Sequence, residues 1–373
     1  MTLVLAAAGV LAPSAPSAGL AERGWLAIND GVIVERGTGP APADAADQGD
    51  ALLVAGFVDL QVNGIGGDDL ATASLDGWQR AQRRLLAAGT TAFCPAFVSA
   101  PLDAYPGRLA AAAAARSAAS KPGDLPVVLG AHLEGPFLGA APGAHDPDTV
   151  RAADLAWLEE LLDACPGEVA VVTLAPEADP ELAATRLLVD RGVRVALGHT
   201  TATYDQCRAA ADAGATLVTH LFNAMGPFHH RAPGIVGAAL DDDRLVPSLI
   251  ADLVHVHPAA LRMASRASAR TFLVSDAVAG HGPVARRPDR TLAGSTITLA
   301  AALRNAVAVG IPIARALDWV SRIPAEVLGL TDRGRLEPGA RADIVALDPS
   351  TLAVRAVWLA GEPVPDRFGV ARG

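Results

Sequence analysis

Three consecutive stretches decide how this chain folds: Val193-Arg194-Val195-Ala196-Leu197-Gly198-His199, the amphipathic run Tyr204–Ala213 followed by Gly214, and Thr216-Leu217-Val218-Thr219-His220. The outer two are short and mostly apolar, as strands buried on both faces are. The middle one spaces its apolar residues at helical period, and Gly214 suits a C-cap. Strand, helix and strand in so short a span make a parallel crossover unit. Both strands then run directly into a histidine.

The same alternation extends outward in both directions. Strands are expected at Leu53–Leu60, Thr91–Phe97, Pro126–Leu133, Val169–Leu174, Val193–Leu197, Thr216–Thr219, Ser248–Leu253 and Thr271–Ser275. Helices are clearest at Trp78–Ala88, Val150–Cys165 and Tyr204–Ala213, with Gly89 as a further C-cap, and the Ala-rich Leu109–Ala119 is also helical in pattern. Eight such units predict an α/β protein, a (β/α)8 TIM-type barrel, over residues 53–334. The flanks read differently. Gly24–Asn29 and Gly31–Val34 join at the hairpin signal Asn29-Asp30-Gly31, and Ala342–Leu347 and Ala353–Leu359 are strand-like. Residues 1–52 and 335–373 are each too short to fold alone, so the two termini are expected to build one small β-sandwich domain.

Composition narrows the function. The chain has 373 residues, 51% hydrophobic and 19% charged, with a net charge of −10. That is material for a large core, and the acidic balance argues against nucleic acid as partner. Lys121 is the only lysine, in the turn Ser120-Lys121-Pro122-Gly123. P-loop, Schiff-base and carbamylated-lysine chemistries would all have to use it, and the turn suits none of them. Cys94, Cys165 and Cys207 form no C-x-x-C pair, which predicts neither a disulfide framework nor a thiolate zinc site and suits a reducing cytoplasm. The apolar start Met1–Leu5 lacks a cationic n-region, Arg23 being the first basic residue, so it reads as a strand followed by a Pro/Ser turn at Ala12–Ala15. No run reaches the ~20 apolar residues of a membrane span.

The polar residues cluster where the strands end. Those ends read Asp59-Leu60-Gln61-Val62-Asn63, His132-Leu133-Glu134, Gly198-His199, Thr219-His220, His255-Val256-His257 and Ser275-Asp276. A barrel gathers all its strand ends into one bowl, where barrel enzymes place their active sites. Glu134, His199 and His220 would supply one carboxylate and two imidazoles, a donor set for Zn²⁺ or Fe²⁺ with room left for water. Such an ion lowers the pKa of water from 15.7 to about 7, and Asp276 could accept that water's proton and pass it to a leaving group. The expected chemistry is metal-assisted hydrolysis of an amide. On the long loop Leu221–Gly234, Asn223 could hydrogen-bond a sugar or amide and Arg231 could grip a phosphate or carboxylate, while His229 and His230 read as rim residues. His145 could polarise a carbonyl; His281 has no assignment.

Gly56-Phe57-Val58-Asp59-Leu60-Gln61-Val62-Asn63-Gly64, His132-Leu133-Glu134-Gly135-Pro136-Phe137, Gly198-His199-Thr200, Thr219-His220-Leu221-Phe222-Asn223-Ala224-Met225 and Ser275-Asp276-Ala277 occur in this order. Together they resemble the N-acetylglucosamine-6-phosphate deacetylases of the amidohydrolase superfamily. Gly334–Val345 resembles that superfamily's return from barrel to β-domain. The resemblance implies metal ligands at Glu134, His199 and His220 and a general base, then acid, at Asp276. It implies substrate contacts from Asn223, Ala224, Arg231, His255, the loop near His145, and Leu292, Ala293, Gly294 and Ser295, with Arg231 and His255 facing a 6-phosphate. It also implies a homodimer or homotetramer. Gln61-Val62-Asn63 stands where many amidohydrolases carry His-x-His, so one divalent ion per subunit is expected: Zn²⁺ first, with Fe²⁺, Mn²⁺ or Co²⁺ also suited. His257 reads as structural or peripheral. Two alternatives stand beside this reading: a related enzyme for N-acetylgalactosamine 6-phosphate or an N-acyl amino acid, and a silent barrel acting as a binding protein.

Overall fold

A computed structural model describes residues 2–11, 23–118, 124–280, 282 and 284–365. The turns at Ala12–Ala15 and Lys121, and His281, lie outside these. The barrel strands are β1 (Phe57–Val62), β2 (Thr90–Val98), β3 (Ala131–Glu134), β4 (Val169–Leu174), β5 (Arg194–Leu197), β6 (Leu217–Val218), β7 (Val246–Leu249) and β8 (Phe272–Leu273). Each pairs in parallel with the next from β1 to β8. The ring closes just beyond β8, where the Asp276 amide donates to Gln61 O (3.0 Å) and the Asn63 amide to Ala277 O (2.8 Å). The helices follow local capping chemistry. Leu75–Ala87 starts at Ser74, whose hydroxyl accepts from the Gly77 amide, and Tyr204–Asp212 starts in a Thr203/Gln206 capping box.

Three strand expectations shift. Leu53–Leu60 is two strands: Leu52–Ala55, then β1, divided at Gly56, where a Cβ would meet Thr91 Oγ1 at 2.2 Å. Pro126–Leu133 is interrupted between Val127–Val128 and β3 by Gly130 at φ +114°. The strand placed at Ser248–Leu253 is Val246–Leu249; Leu253 at φ +64° and Asp252, which accepts from the amides of Val254 and His255, turn the chain out of the sheet.

The terminal strands form two mixed sheets. One carries Leu3–Ala7, Gly24–Asn29, Val32–Thr38 and Ala46–Asp47. The other carries Gly9–Val10, Leu52–Ala55, Ile344–Leu347, Val354–Leu359 and Glu362–Pro363. The alternation of strand side chains partitions the core. Leu53, Ala55, Ile344 and Ala346 pack with Leu5, Leu26 and Ile33 between the two sheets. Leu52, Val54, Val345 and Leu347 face the other way, into the core shared by the barrel and its helices. Trp78, Phe93, Tyr105 and Trp319 are fully buried in that larger core.

Candidate active site

β3, β5 and β6 deliver Glu134, His199 and His220 to one point. Glu134 Oε1 lies 3.0 Å from His199 Nε2 and 2.9 Å from His220 Nε2, and the two nitrogens are 3.1 Å apart. All three side chains are buried. Burial alone would raise the Glu134 carboxyl, but the three imidazoles around it, His145, His199 and His220, outweigh burial and hold the group well below the usual carboxylate range. His199 and His220 adopt φ +49° and +33°, Asp276 +47° and Ala224 +50°. So many left-handed non-glycine residues at the strand ends mark backbone held in place by its surroundings.

His199 and its neighbour His145, 4.3 Å away between ring centroids, carry opposite proton arrangements. His199 Nδ1 stands 3.1 Å from Pro142 O, which can only accept, so in the neutral ring Nε2 is a lone pair aimed at Glu134. His145 Nδ1 accepts from the Ser99 amide (3.2 Å), so in the neutral ring its Nε2 carries the proton, 3.8 Å from Glu134 Oε2. A lone-pair nitrogen 3.0 Å from a carboxylate oxygen is an arrangement that could hold a cation. Glu134, His145 and His199 also lie close enough to share an ion. The proton on Nε2 would make His145 a donor, whereas His220 Nε2, 2.9 Å from Glu134 Oε1, could complete a ligand set.

Across the bowl, Gln61 Nε2 donates to Glu134 Oε1 (3.1 Å) and Asp276 Oδ1 (3.2 Å), and Asn63 Nδ2 donates to Asp276 Oδ1 (2.8 Å). The two residues of the Gln-x-Asn segment thus tie the carboxylates together. Burial, reinforced by the charge of Glu134, pushes the Asp276 carboxyl up to about 8. Beneath the bowl, burial drives His132 down to about 4; its ring spans Leu60 O and Thr173 Oγ1.

The bowl opens into a cavity of about 540 Å³ lined by Glu134, His145, His199, His220, Asp276, Asn223, Ala224, His255, Leu292, Ala293 and Gly294, all of them singled out from sequence. Two named residues stand apart. Ser295 is buried, with its hydroxyl donating to Ser275 O in the closing seam. Arg231 is exposed and donates to His230 Nε2 (2.8 Å). His257 caps the helix Pro258–Ala267 by accepting from the Ala259 amide.

Sequence reasoning passed over four supporting groups. Ser99, just past β2, orients His145. Arg287 donates to Ala144 O (2.6 Å) and His145 O (3.1 Å), and Arg108 lines the cavity. Glu177, just past β4, accepts from Thr200 Oγ1 and from the Thr201 amide (2.8 Å), directly after His199. A search of strand ends for any polar residue, rather than for His, Asp and Glu alone, would have found Ser99.

The amidohydrolase family model matches residues 52–370. The N-acetylgalactosamine-6-phosphate deacetylase of Escherichia coli O157:H7 is 38% identical, the match covering 92% of this chain and 96% of that protein. The human N-acetylglucosamine-6-phosphate deacetylase is 39% identical, over 85% of this chain and 84% of its own. Among solved structures, a variant of the N-acetyl-D-glucosamine-6-phosphate deacetylase of Mycobacterium smegmatis, in complex with N-acetyl-D-glucosamine-6-phosphate, superposes with a TM-score of 0.89 at 38% identity, over 98% of this chain and 100% of that one. Matches of this identity and extent, on a chain whose strand ends assemble a buried Glu-His-His-Asp cluster, make it an enzyme of the amidohydrolase family, among the N-acetylhexosamine-6-phosphate deacetylases.

Proposed function

We propose that this protein hydrolyses the acetamide of N-acetylglucosamine 6-phosphate, giving acetate and glucosamine 6-phosphate. The observation that carries the reading is the convergence of Glu134, His199 and His220 within 3.1 Å, with Asp276 tied to Glu134 through Gln61. The donor set, two imidazoles and one carboxylate with a lone pair already turned inward, fits one divalent cation, Zn²⁺ first. When bound there, such an ion acts as a Lewis acid toward the scissile carbonyl and the attacking water.

The chain's own groups do the rest. Asp276 Oδ2 has no hydrogen-bond donor from Gln61 or Asn63, which both use Oδ1, so it is the oxygen placed to take the proton of the attacking water. It then returns that proton to the departing amine nitrogen. His145 offers Nε2–H to the acetyl oxygen, where negative charge develops, and Ser99 keeps that tautomer in place. Asn223, Ala224, His255 and the segment from Leu292 to Gly294 form the walls against which the sugar and its phosphate would rest. Ser295 supports that wall from behind. Arg231, on the exposed tip of its loop, is assigned to the 6-phosphate of a neighbouring subunit in a homodimer or homotetramer.

We further assign residues 1–52 and 335–373 to a supporting β-domain, residues 53–334 to the catalytic barrel, and the enzyme to the cytoplasm. Among the described residues, no helix is long and apolar enough to cross a membrane. A second reading, the galactosamine epimer as substrate, is favoured by the Escherichia coli O157:H7 relative. Acetate release from both N-acetylated sugar 6-phosphates, with and without a chelator, tests the proposal. Release that stops with chelator and returns with Zn²⁺ supports it; chelator-insensitive release, or none from either sugar, refutes it.

A further inference from the structure

One buried Asp–His pair stands at the cavity wall, and its aspartate has no part in the chemistry above. Asp252 and His255 follow β7, and their side chains are only 4% and 5% exposed. Asp252 Oδ2 lies 2.7 Å from His255 Nδ1, while Oδ1 accepts from the amides of Val254 (2.9 Å) and His255 (2.8 Å). Leu253, at φ +64° between them, folds the chain so that residue 255 comes back over residue 252. A carboxylate can only accept, so Nδ1 must carry a proton and only Nε2 is left for the cavity that His255 lines. Burial would raise the Asp252 carboxyl, yet the bonds from His255 keep it below its usual value, so the carboxylate persists beside the ring.

With Nδ1 held by the Asp252 carboxylate, an anion docking at Nε2 would place the ring between two negative groups, the setting in which a proton on each nitrogen is favoured. Such a ring is a charge-assisted donor toward an anion, and a poor ligand for a cation or partner for a neutral carbonyl. It sits in a cavity whose reacting end carries the Glu134 carboxylate. An anionic substrate group would be repelled there, and it finds a donor at His255. Resting on the phosphorylated-sugar reading above, we propose that Asp252 is a positioning residue for anion recognition: it presents His255 Nε2–H to the phosphate of the substrate and stabilises the ring's positive charge when the anion docks. Asp252 touches neither the substrate nor the reacting amide.

The test compares Asp252→Asn, His255→Gln and the double variant. KM and kcat are measured on N-acetylglucosamine 6-phosphate and on N-acetylglucosamine, and inorganic phosphate is titrated calorimetrically as a probe that needs no turnover. Asp252→Asn keeps the size and the backbone bonds but offers no negative charge. It is expected to raise KM for the phosphorylated sugar roughly tenfold, the loss of one charge-assisted hydrogen bond, with a far smaller effect on kcat. The loss in kcat/KM should be larger for the phosphorylated than for the plain sugar, and inorganic phosphate should bind correspondingly more weakly. Once His255 is Gln, adding Asp252→Asn should change KM by less than about twofold. Equal losses on both sugars, a fall in kcat with KM unmoved, or full additivity with His255→Gln would overturn the proposal. If neither sugar is turned over, the deacetylase reading fails. The phosphate titration then decides alone: binding weakened by Asp252→Asn sustains the anion site, and unchanged binding removes it.

Discussion

Gly139→Ala is expected to act through the neighbouring side chain of Glu177. The new Cβ would lie 2.0 Å from Glu177 Oε1 and 2.4 Å from its carboxyl carbon, so the Glu177 carboxylate must leave. It would give up Thr200 Oγ1 and the Thr201 amide, the two bonds that fasten the turn after His199. Hydrogen bonds to a charged acceptor contribute about 1.5–3 kcal/mol each. Glu177 is partly exposed and regains water, so about half of the combined value, roughly 1.5–3 kcal/mol, should be lost. The Gly139 amide also donates to His199 O (2.9 Å), so the displacement reaches a metal-ligand candidate directly. Urea unfolding should report the stability loss, and the affinity for Zn²⁺, followed by competition with a chromogenic chelator, should fall in parallel. In a Glu177→Ala background the same Gly139→Ala change should cost less than about 0.5 kcal/mol, because nothing remains to collide with. A full-sized cost in that background would refute the reasoning.

Two further substitutions probe the buried carboxylates. Asp276→Asn keeps the Oδ1 acceptor for Gln61 and Asn63, so Zn²⁺ content and substrate KM should persist while kcat for acetate release falls about 10²–10⁴-fold; an unchanged kcat would end its assignment as the proton carrier. Asp59 is fully buried, and burial pushes its carboxyl up to about 7, so the native state keeps a proton that the unfolded chain releases near pH 4. Stability should therefore decline as pH rises from 4 to 7, by up to about 1.4 kcal/mol per unit. Asp59→Asn should remove the Asp59 share of that slope in urea unfolding series at pH 5 and pH 8, leaving the share of Asp276, whose carboxyl is also raised, and an undiminished slope would refute the assignment to Asp59.

The barrel was legible because parallel strands covered on both faces are apolar nearly throughout, as Val169–Leu174 and Val193–Leu197 are. The polar residue after each strand then marks the bowl. What escaped depends on distant partners. Leu53–Leu60 reads as one strand in sequence, and only the crowding of Gly56 against Thr91 shows why the chain changes sheets there. Gln61 and Asn63 read as the loss of a metal-binding pair. Their positive part, bridging Glu134 and Asp276, joins residues 73, 213 and 215 positions apart. The proton on His145 is set by Ser99, 46 residues away. Asp252 and His255 are close in sequence, but they meet only because Leu253 takes a left-handed turn that its residue type does not foretell.

Leu52–Ala55 runs between Gly9–Val10 on one side and Ile344–Leu347 on the other, then passes through Gly56 into the first barrel strand. Trimming the amino-terminal segment would uncover one flank of Leu52–Ala55 and bare a row of unpaired amides and carbonyls on an almost wholly apolar ribbon. Such a flank recruits other chains. Shortened versions should therefore tend to precipitate rather than lose activity gradually, and the far ends of the polypeptide act as guardians of the catalytic core's solubility.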